Sequence, residues 1–193
     1  MSSARKPSPP YTDEEILAVH IVELPQHNAP IHLAEYDPEW PLLYEREAGR
    51  IRGALGQKAL RIEHVGSTSV PGLAAKPVID IDLVVADSAD EPAYVPELVA
   101  AGFVLHIREP EWYEHRLFKG PDTNVNLHTF SDGCNEVDRM VAFRDWLRTD
   151  DDERELYLRA KRELAAREWK YVQNYADAKS AVVAEILARA LSS

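Results

Sequence analysis

Asp80 and Asp82 flank Ile81 in the segment Val78–Val85, VIDIDLVV, whose other residues are those of a buried strand. Successive side chains of a strand alternate, so the two aspartates share one face while Ile79, Ile81 and Leu83 occupy the other. Neighbouring carboxylates repel, and burying them is costly unless a cation or hydrogen-bond donors compensate. A divalent cation held by oxygen ligands, Mg²⁺ or Mn²⁺, is the simplest compensation. Upstream, across a connector broken by Pro71, Gly72 and Pro77, stands Gly66-Ser67-Thr68-Ser69. A Gly-Ser turn leaving a strand presents backbone N–H groups and a hydroxyl to a phosphate. Together the turn and a metal on Asp80 and Asp82 form the minimum apparatus of metal-assisted phosphoryl or nucleotidyl transfer. The same residues permit a plainer reading, in which Ser67, Thr68 and Ser69 satisfy the turn and the aspartates pair with Arg or Lys.

The elements that must position these groups follow from periodicity and punctuation. Arg61–Val65 and Val78–Val85 read as strands on either side of the Gly-Ser turn. Phe103–Ile107, Tyr113–Phe118 and Asn124–Phe130 read as further strands, and Ile31–Glu35 as a first one. Thr12 and Glu15 make a capping box for a short helix to about His20. Asp37-Pro38 opens a helix that runs to Leu55 and stops near Gly56. Glu91–Ala101, closed by Gly102, fits a helix. From Asn135 the chain turns helical, with Asn135–Arg148, Asp151–Trp169 and Val172–Leu191 each carrying apolar residues at three- and four-residue spacing. The acidic run Asp150–Glu153 suits a helix start, where the macrodipole favours anions. The expected class is α+β, a mixed sheet with packed helices and a C-terminal helical region. Residues 1–30 are expected as a partly disordered N-terminal arm and 31–193 as a single domain.

Other side chains join the aspartates as candidates. In the strand Asn124–Phe130, alternation puts Asn124, Asn126 and His128 on one face, where His128 is suited to serve as general base or ligand. His64 shares its face with Ile62, not with Glu63. Lys76 precedes the aspartate strand and can meet a phosphate or pair with Asp80. Arg116, beside Phe118, is a further anion candidate. Arg144 and Arg148, Tyr157 and Lys161, and Tyr175 and Lys179 are each four apart on one helical face, and they would clamp a triphosphate if the helical layer closes over the sheet end. Surface salt bridges are the plain alternative for each.

Composition sets limits. The 193 residues carry a net charge of −11, which disfavours nucleic acid and anionic lipid as partners, although 22 Lys and Arg leave room for a local basic pocket. Cys134 is the only cysteine, so neither an intrachain disulfide nor a multi-cysteine zinc site is expected. No apolar run approaches the roughly 18 residues of a membrane span, and the opening MSSARKPSPP lacks the apolar core of a signal peptide. A soluble cytoplasmic protein is expected.

The stretch EHVGSTSVPGLAAKPVIDIDLVV closely resembles the signature of the GrpB family, also called UPF0157. The likeness extends to YDPEW at Tyr36–Trp40, NLH at Asn126–His128, FRDWLR at Phe143–Arg148 and the two helical Tyr-Lys pairs, covering about residues 31–190. It implies a polymerase-β-like nucleotidyltransferase fold, in which a Gly-Ser pair and a D-x-D pair bind the triphosphate and the metal. Gly66, Ser67, Asp80 and Asp82 match those positions. Members of that superfamily usually add a third carboxylate from a later strand; here Asn124–Phe130 offers Asn and His, so His128 is the stand-in. The implied partners are a nucleoside triphosphate and a small-molecule acceptor. A related domain is fused to dephospho-CoA kinase in some bacteria, which leaves open a non-catalytic binding or folding-assistance module on the same fold.

Overall fold

The apolar alternation of the strand segments produces a five-stranded sheet in the computed structural model, which describes residues 10–191. The strands are β1 (Arg61–Val65), β2 (Ile79–Val85), β3 (Val104–Glu109), β4 (His115–Lys119) and β5 (Val125–Ser131), in the spatial order β1-β2-β5-β4-β3. Only β2 and β5 run parallel; the other neighbours are antiparallel. The helices are α1 (Asp13–Val19), α2 (Trp40–Leu55), α3 (Val95–Ala100), α4 (Asn135–Thr149), α5 (Asp151–Ala165), α6 (Val172–Ala178) and α7 (Ser180–Ala190). The α+β class expected from the sequence, a mixed sheet with packed helices and a C-terminal helical region, is the class observed.

One face of the sheet is apolar. Ile79, Ile81, Leu83 and Val85 of β2, with Phe118 and Leu127, pack against Trp40, Ile51 and Leu55 of α2 and Leu98 of α3. The register that buries this face sends Glu63, Asp80, Asp82, Asn126 and His128 to the other, because a one-residue slip would exchange the two sets. The C-terminal helices gather on the β1–β2 connector, where Val70, Leu73 and Ala74 meet Leu147, Tyr157, Leu158 and Ile186. Val84 and Phe130 pack with Val137 of α4 and close the far end of the polar face.

Several local expectations are revised. Ile31–Glu35 is not a sheet strand: it makes a single bridge, Ala34 to Ala75, while Ile31 and Leu33 pack with Ala165 and Tyr175. Glu91–Ala101 divides into a 3₁₀ turn and α3, with Pro96 restarting the helix. The last segment breaks at Lys179, whose N–H bonds back to Ala176 and Asp177 carbonyls. Before Ile31 the described chain lies along the body, with α1 formed on its expected capping box and His20 bridging Ile107. The Ser- and Pro-rich residues 1–9 lie outside the described part. Among the described residues no helix is long and apolar enough to cross a membrane.

Candidate functional site

The polar face is organised in rows set by strand register. Glu63, Asp82 and His128 form one row across β1, β2 and β5; Val65, Asp80, Asn126 and Lys119 form the next. Asp82 is 0% exposed, and neither of its carboxylate oxygens has a hydrogen-bond partner among the described residues. Burial pushes its carboxyl up to about 7, Asp80, Glu136 and Glu63 adding to the effect and His128 opposing it. Asp80 is different: Asn126 donates to its Oδ1 at 2.8 Å and His128 Nε2 stands 3.7 Å away. Burial works to raise Asp80, but His128, Asn126 and Lys76 outweigh it and hold the group below the carboxylate range. His128 is held above the ordinary imidazole range, its own burial being overcome by Asp80 and Asp82. One carboxylate is thus compensated and the other left without a donor.

The Gly-Ser turn touches this pair. Gly66 has φ 68° and ψ −175°, and a Cβ built on it would lie 2.4 Å from Asp80 Oδ2. Only glycine permits both that backbone and that approach. Ser67 keeps a partly exposed side chain, whereas Thr68 and Ser69 are buried and turned to the fold. Thr68 donates to Val78 O at 3.1 Å and meets His64 Nε2 at 3.1 Å; Ser69 donates to Gly66 O at 2.5 Å. These two hydroxyls hold the turn in shape and leave Ser67 as the one directed outward.

The basic candidates sort clearly. Arg116 lies on the opposite face, in register with Thr129, and its guanidinium is taken by Glu91 at 2.6 Å and by the Glu114 and His115 carbonyls. Distance across the sheet removes it from the site. Arg144 is committed as well: it donates to Glu63 at 2.7 Å, to His64 O at 3.0 Å and to Asp145. Arg148 donates twice to Ser69 O, fastening α4 to the turn. Lys76 and Lys179, by contrast, have no carboxylate within ion-pair distance among the described residues. Burial lowers Lys76, and Lys179 and Lys119 lower it further against Asp80. Lys161 joins them: it is 2% exposed, donates to Ala74 O at 2.6 Å and is depressed well below the ammonium range by burial and by Lys179. Lys179 sits 4.6 Å over the Tyr175 ring. Lys76, Lys119 and Lys161 each couple to Asp80, and Lys179 couples to Lys76 and Lys161, so lysine side chains gather on that side of the carboxylate.

Glu63, Lys119 and the pair His115 and Glu109 were not singled out as site residues in the sequence. Glu63 supplies a third carboxylate, from the strand before the turn and not from a later one. Its signal was present in the alternation of RIEHV, but only the β1–β2 register shows that it faces Asp82. Lys119 donates to Asn126 Oδ1, which in turn faces Asp80.

A sequence profile described as GrpB protein matches residues 30–189. The chain belongs to the GrpB family. A UPF0157 protein of Halalkalibacterium halodurans is 63% identical over 183 residues, covering 95% of this chain and 94% of that protein. One from Streptomyces coelicolor is 45% identical over 160 residues, covering 83% and 84%. A dephospho-CoA kinase of Mycolicibacterium paratuberculosis is 34% identical over 160 residues, and the chain spans 39% of its length. The crystal structure of the conserved protein GrpB from Enterococcus faecalis superposes with a TM-score of 0.73 at 31% identity, covering 83% of this chain and 98% of that one.

The residues fit a hard divalent cation. Asp82 has two buried oxygens with no donor, the chemistry that such a cation satisfies. No group of three His, Cys, Asp or Glu among the described residues is arranged to hold a metal alone. Magnesium commonly completes its shell with water and substrate phosphate, so one or two carboxylates suffice.

Proposed function

We propose that this GrpB-family protein has a nucleotidyltransferase-type site that binds a nucleoside triphosphate with Mg²⁺ or Mn²⁺ and transfers the nucleoside monophosphate to a small-molecule acceptor. The observation that carries the reading is the buried, donor-less carboxylate of Asp82 beside Asp80 and the glycine turn. Asp80 and Asp82 would hold the cation, which when bound neutralises polyphosphate charge and polarises the α-phosphate. The Gly66-Ser67 backbone and the Ser67 hydroxyl hold the β and γ phosphates. Lys76 and Lys179 supply the positive charge on that side, where a partly desolvated ammonium group attracts an anion more strongly than in water, while Lys161 is held to the Ala74 carbonyl. Arg144 and Arg148 act indirectly, orienting Glu63 and the turn. His128, between the carboxylates and the acceptor, takes the proton from the attacking hydroxyl. A net charge of −11 favours a small acceptor over nucleic acid.

Thermal stabilisation by a panel of nucleoside triphosphates, with and without Mg²⁺, tests the binding half. Stabilisation that needs Mg²⁺ and vanishes in D80N/D82N supports the site; pyrophosphate release with a candidate acceptor then tests transfer. If no nucleotide stabilises the protein, the alternative gains, a non-catalytic CoA-metabolite-binding or interaction module. The likeness to part of a dephospho-CoA kinase favours that second reading.

A further inference from the structure

Behind His128 the polar face carries a second line of side chains. On β4, His115 Nε2 is 3.0 Å from His128 Nδ1, and His115 Nδ1 is 2.6 Å from Glu109 Oε2 on β3. The Tyr11 hydroxyl donates to the other Glu109 oxygen at 3.3 Å. His115 is 2% exposed, stacked on Phe130 and met edge-on by Trp112. The far end of the line is His128 Nε2, 3.7 Å from Asp80 Oδ1. Four side chains from three strands and the N-terminal segment thus run in one hydrogen-bonded series toward the aspartates.

Counting protons fixes its direction. An ionised carboxylate only accepts, so Glu109 requires the proton of His115 on Nδ1. Burial holds His115 neutral, pushing it down to about 4, so its Nε2 carries a lone pair. The single proton between the rings must then belong to His128 Nδ1. That order is the same whether or not His128 Nε2 is protonated.

We propose that Glu109 and His115 are positioning residues that lock His128 with its proton on Nδ1, leaving Nε2 as its one exchanging nitrogen, aimed at the Asp80–Asp82 pair. In the transfer reaction, on whose proposal above this role rests, the acceptor's O–H bond breaks and its proton goes to Nε2. The freed oxygen pair attacks the α-phosphorus as the bond to pyrophosphate breaks. The proton leaves later from Nε2 to solvent, and none passes to Glu109. Partners behind a functional histidine that set its tautomer typically contribute 10- to 100-fold to activity or metal affinity.

Two-bond ¹H–¹⁵N spectra of histidine-labelled full-length protein, recorded on the alkaline side of the His128 titration and assigned with H128Q, test the lock. Wild type is expected to show His128 protonated at Nδ1 with a pyridine-type Nε2. In E109Q the amide can donate to His115, so the whole series reverses toward Asp80 and the proton moves to His128 Nε2. H115F removes the acceptor for Nδ1–H and moves it likewise, whereas H115Q, with a carbonyl to accept, retains the wild-type form. A proton on Nε2 in wild type, or one unmoved in both E109Q and H115F, overturns the proposal. None of these spectra needs nucleotide, so absent Mg²⁺–triphosphate binding would remove the transferase reading and leave the lock judged by its own signals. With a turned-over acceptor, E109Q is expected to lower kcat roughly 10- to 100-fold with KM kept.

Discussion

Replacing Asp82 by Asn isolates the buried carboxylate on which the site reading turns. Its carboxyl is raised from the ordinary 3.8 to about 7 because it is buried without a donor. An acid with a higher pKa folded than unfolded holds its proton more tightly when folded. Its stability contribution is therefore best at low pH and declines between the two values. Raising the carboxyl from 3.8 to about 7 corresponds to about 4 kcal/mol at full ionisation. Structural relaxation and water entry reduce that ceiling, leaving about 2–4 kcal/mol. Near pH 4.5 the folded forms of wild type and D82N both carry an uncharged group there, and only the ionised unfolded chain of wild type separates them, by about 1 kcal/mol. At pH 8 in EDTA the Asn variant should melt higher by roughly 5–15 °C for a chain of this size. Adding Mg²⁺ with a bound triphosphate should reverse the order, because only wild type offers both carboxylates to the cation. Differential scanning fluorimetry in half-unit pH steps reads both effects. Parallel melting curves from pH 4.5 to 8.5, or an Asn variant that melts lower at pH 8 without metal, would refute the reasoning.

Three further outcomes are expected. G66A forces a glycine-only backbone on alanine and drives its Cβ to 2.4 Å from Asp80 Oδ2, so urea unfolding should show a loss of about 2–5 kcal/mol; a loss under about 1 kcal/mol would deny that contact. R144M strips Glu63 and His64 O of a donor and should lower stability by about 2–3 kcal/mol at unchanged m-value, checked by chemical denaturation. Metal-free tripolyphosphate at ten times its Kd should stabilise wild type by about 1.4 kcal/mol, and K76M/K179M should lose that gain; equal stabilisation of the two would place the anion elsewhere.

The reach of the sequence depended on whether a feature was local. The β1, β2 and β5 segments and the shared face of Asp80 and Asp82 follow from alternation, which needs no knowledge of neighbours. Glu63 shows where that stops: its face was legible, but its place beside Asp82 is a matter of pairing between strands separated by the whole connector. Arg116 failed for the same reason, since HRLFK alternates correctly but which of its faces meets the aspartates depends on β4 joining β5. His115 and Glu109 gave no ligand spacing, and only the antiparallel β3–β4 register brings them together. Ile31–Glu35 has strand composition, but its apolar residues were claimed by α5 and α6. The break at Lys179 has neither Gly nor Pro to announce it.

The strap formed by α1 and the residues after it has one more consequence. β3 is the outermost strand on its side, and an open strand edge invites pairing with another chain. Here Ile21 N–H bonds to His106 O and His20 bridges Ile107, so the chain's own early residues occupy part of that margin. The GrpB profile begins at residue 30, beyond this cover. A version trimmed to the profile would bare the rim of β3 and remove Tyr11 from Glu109, so self-association through edge-to-edge strand addition is its foreseeable fate.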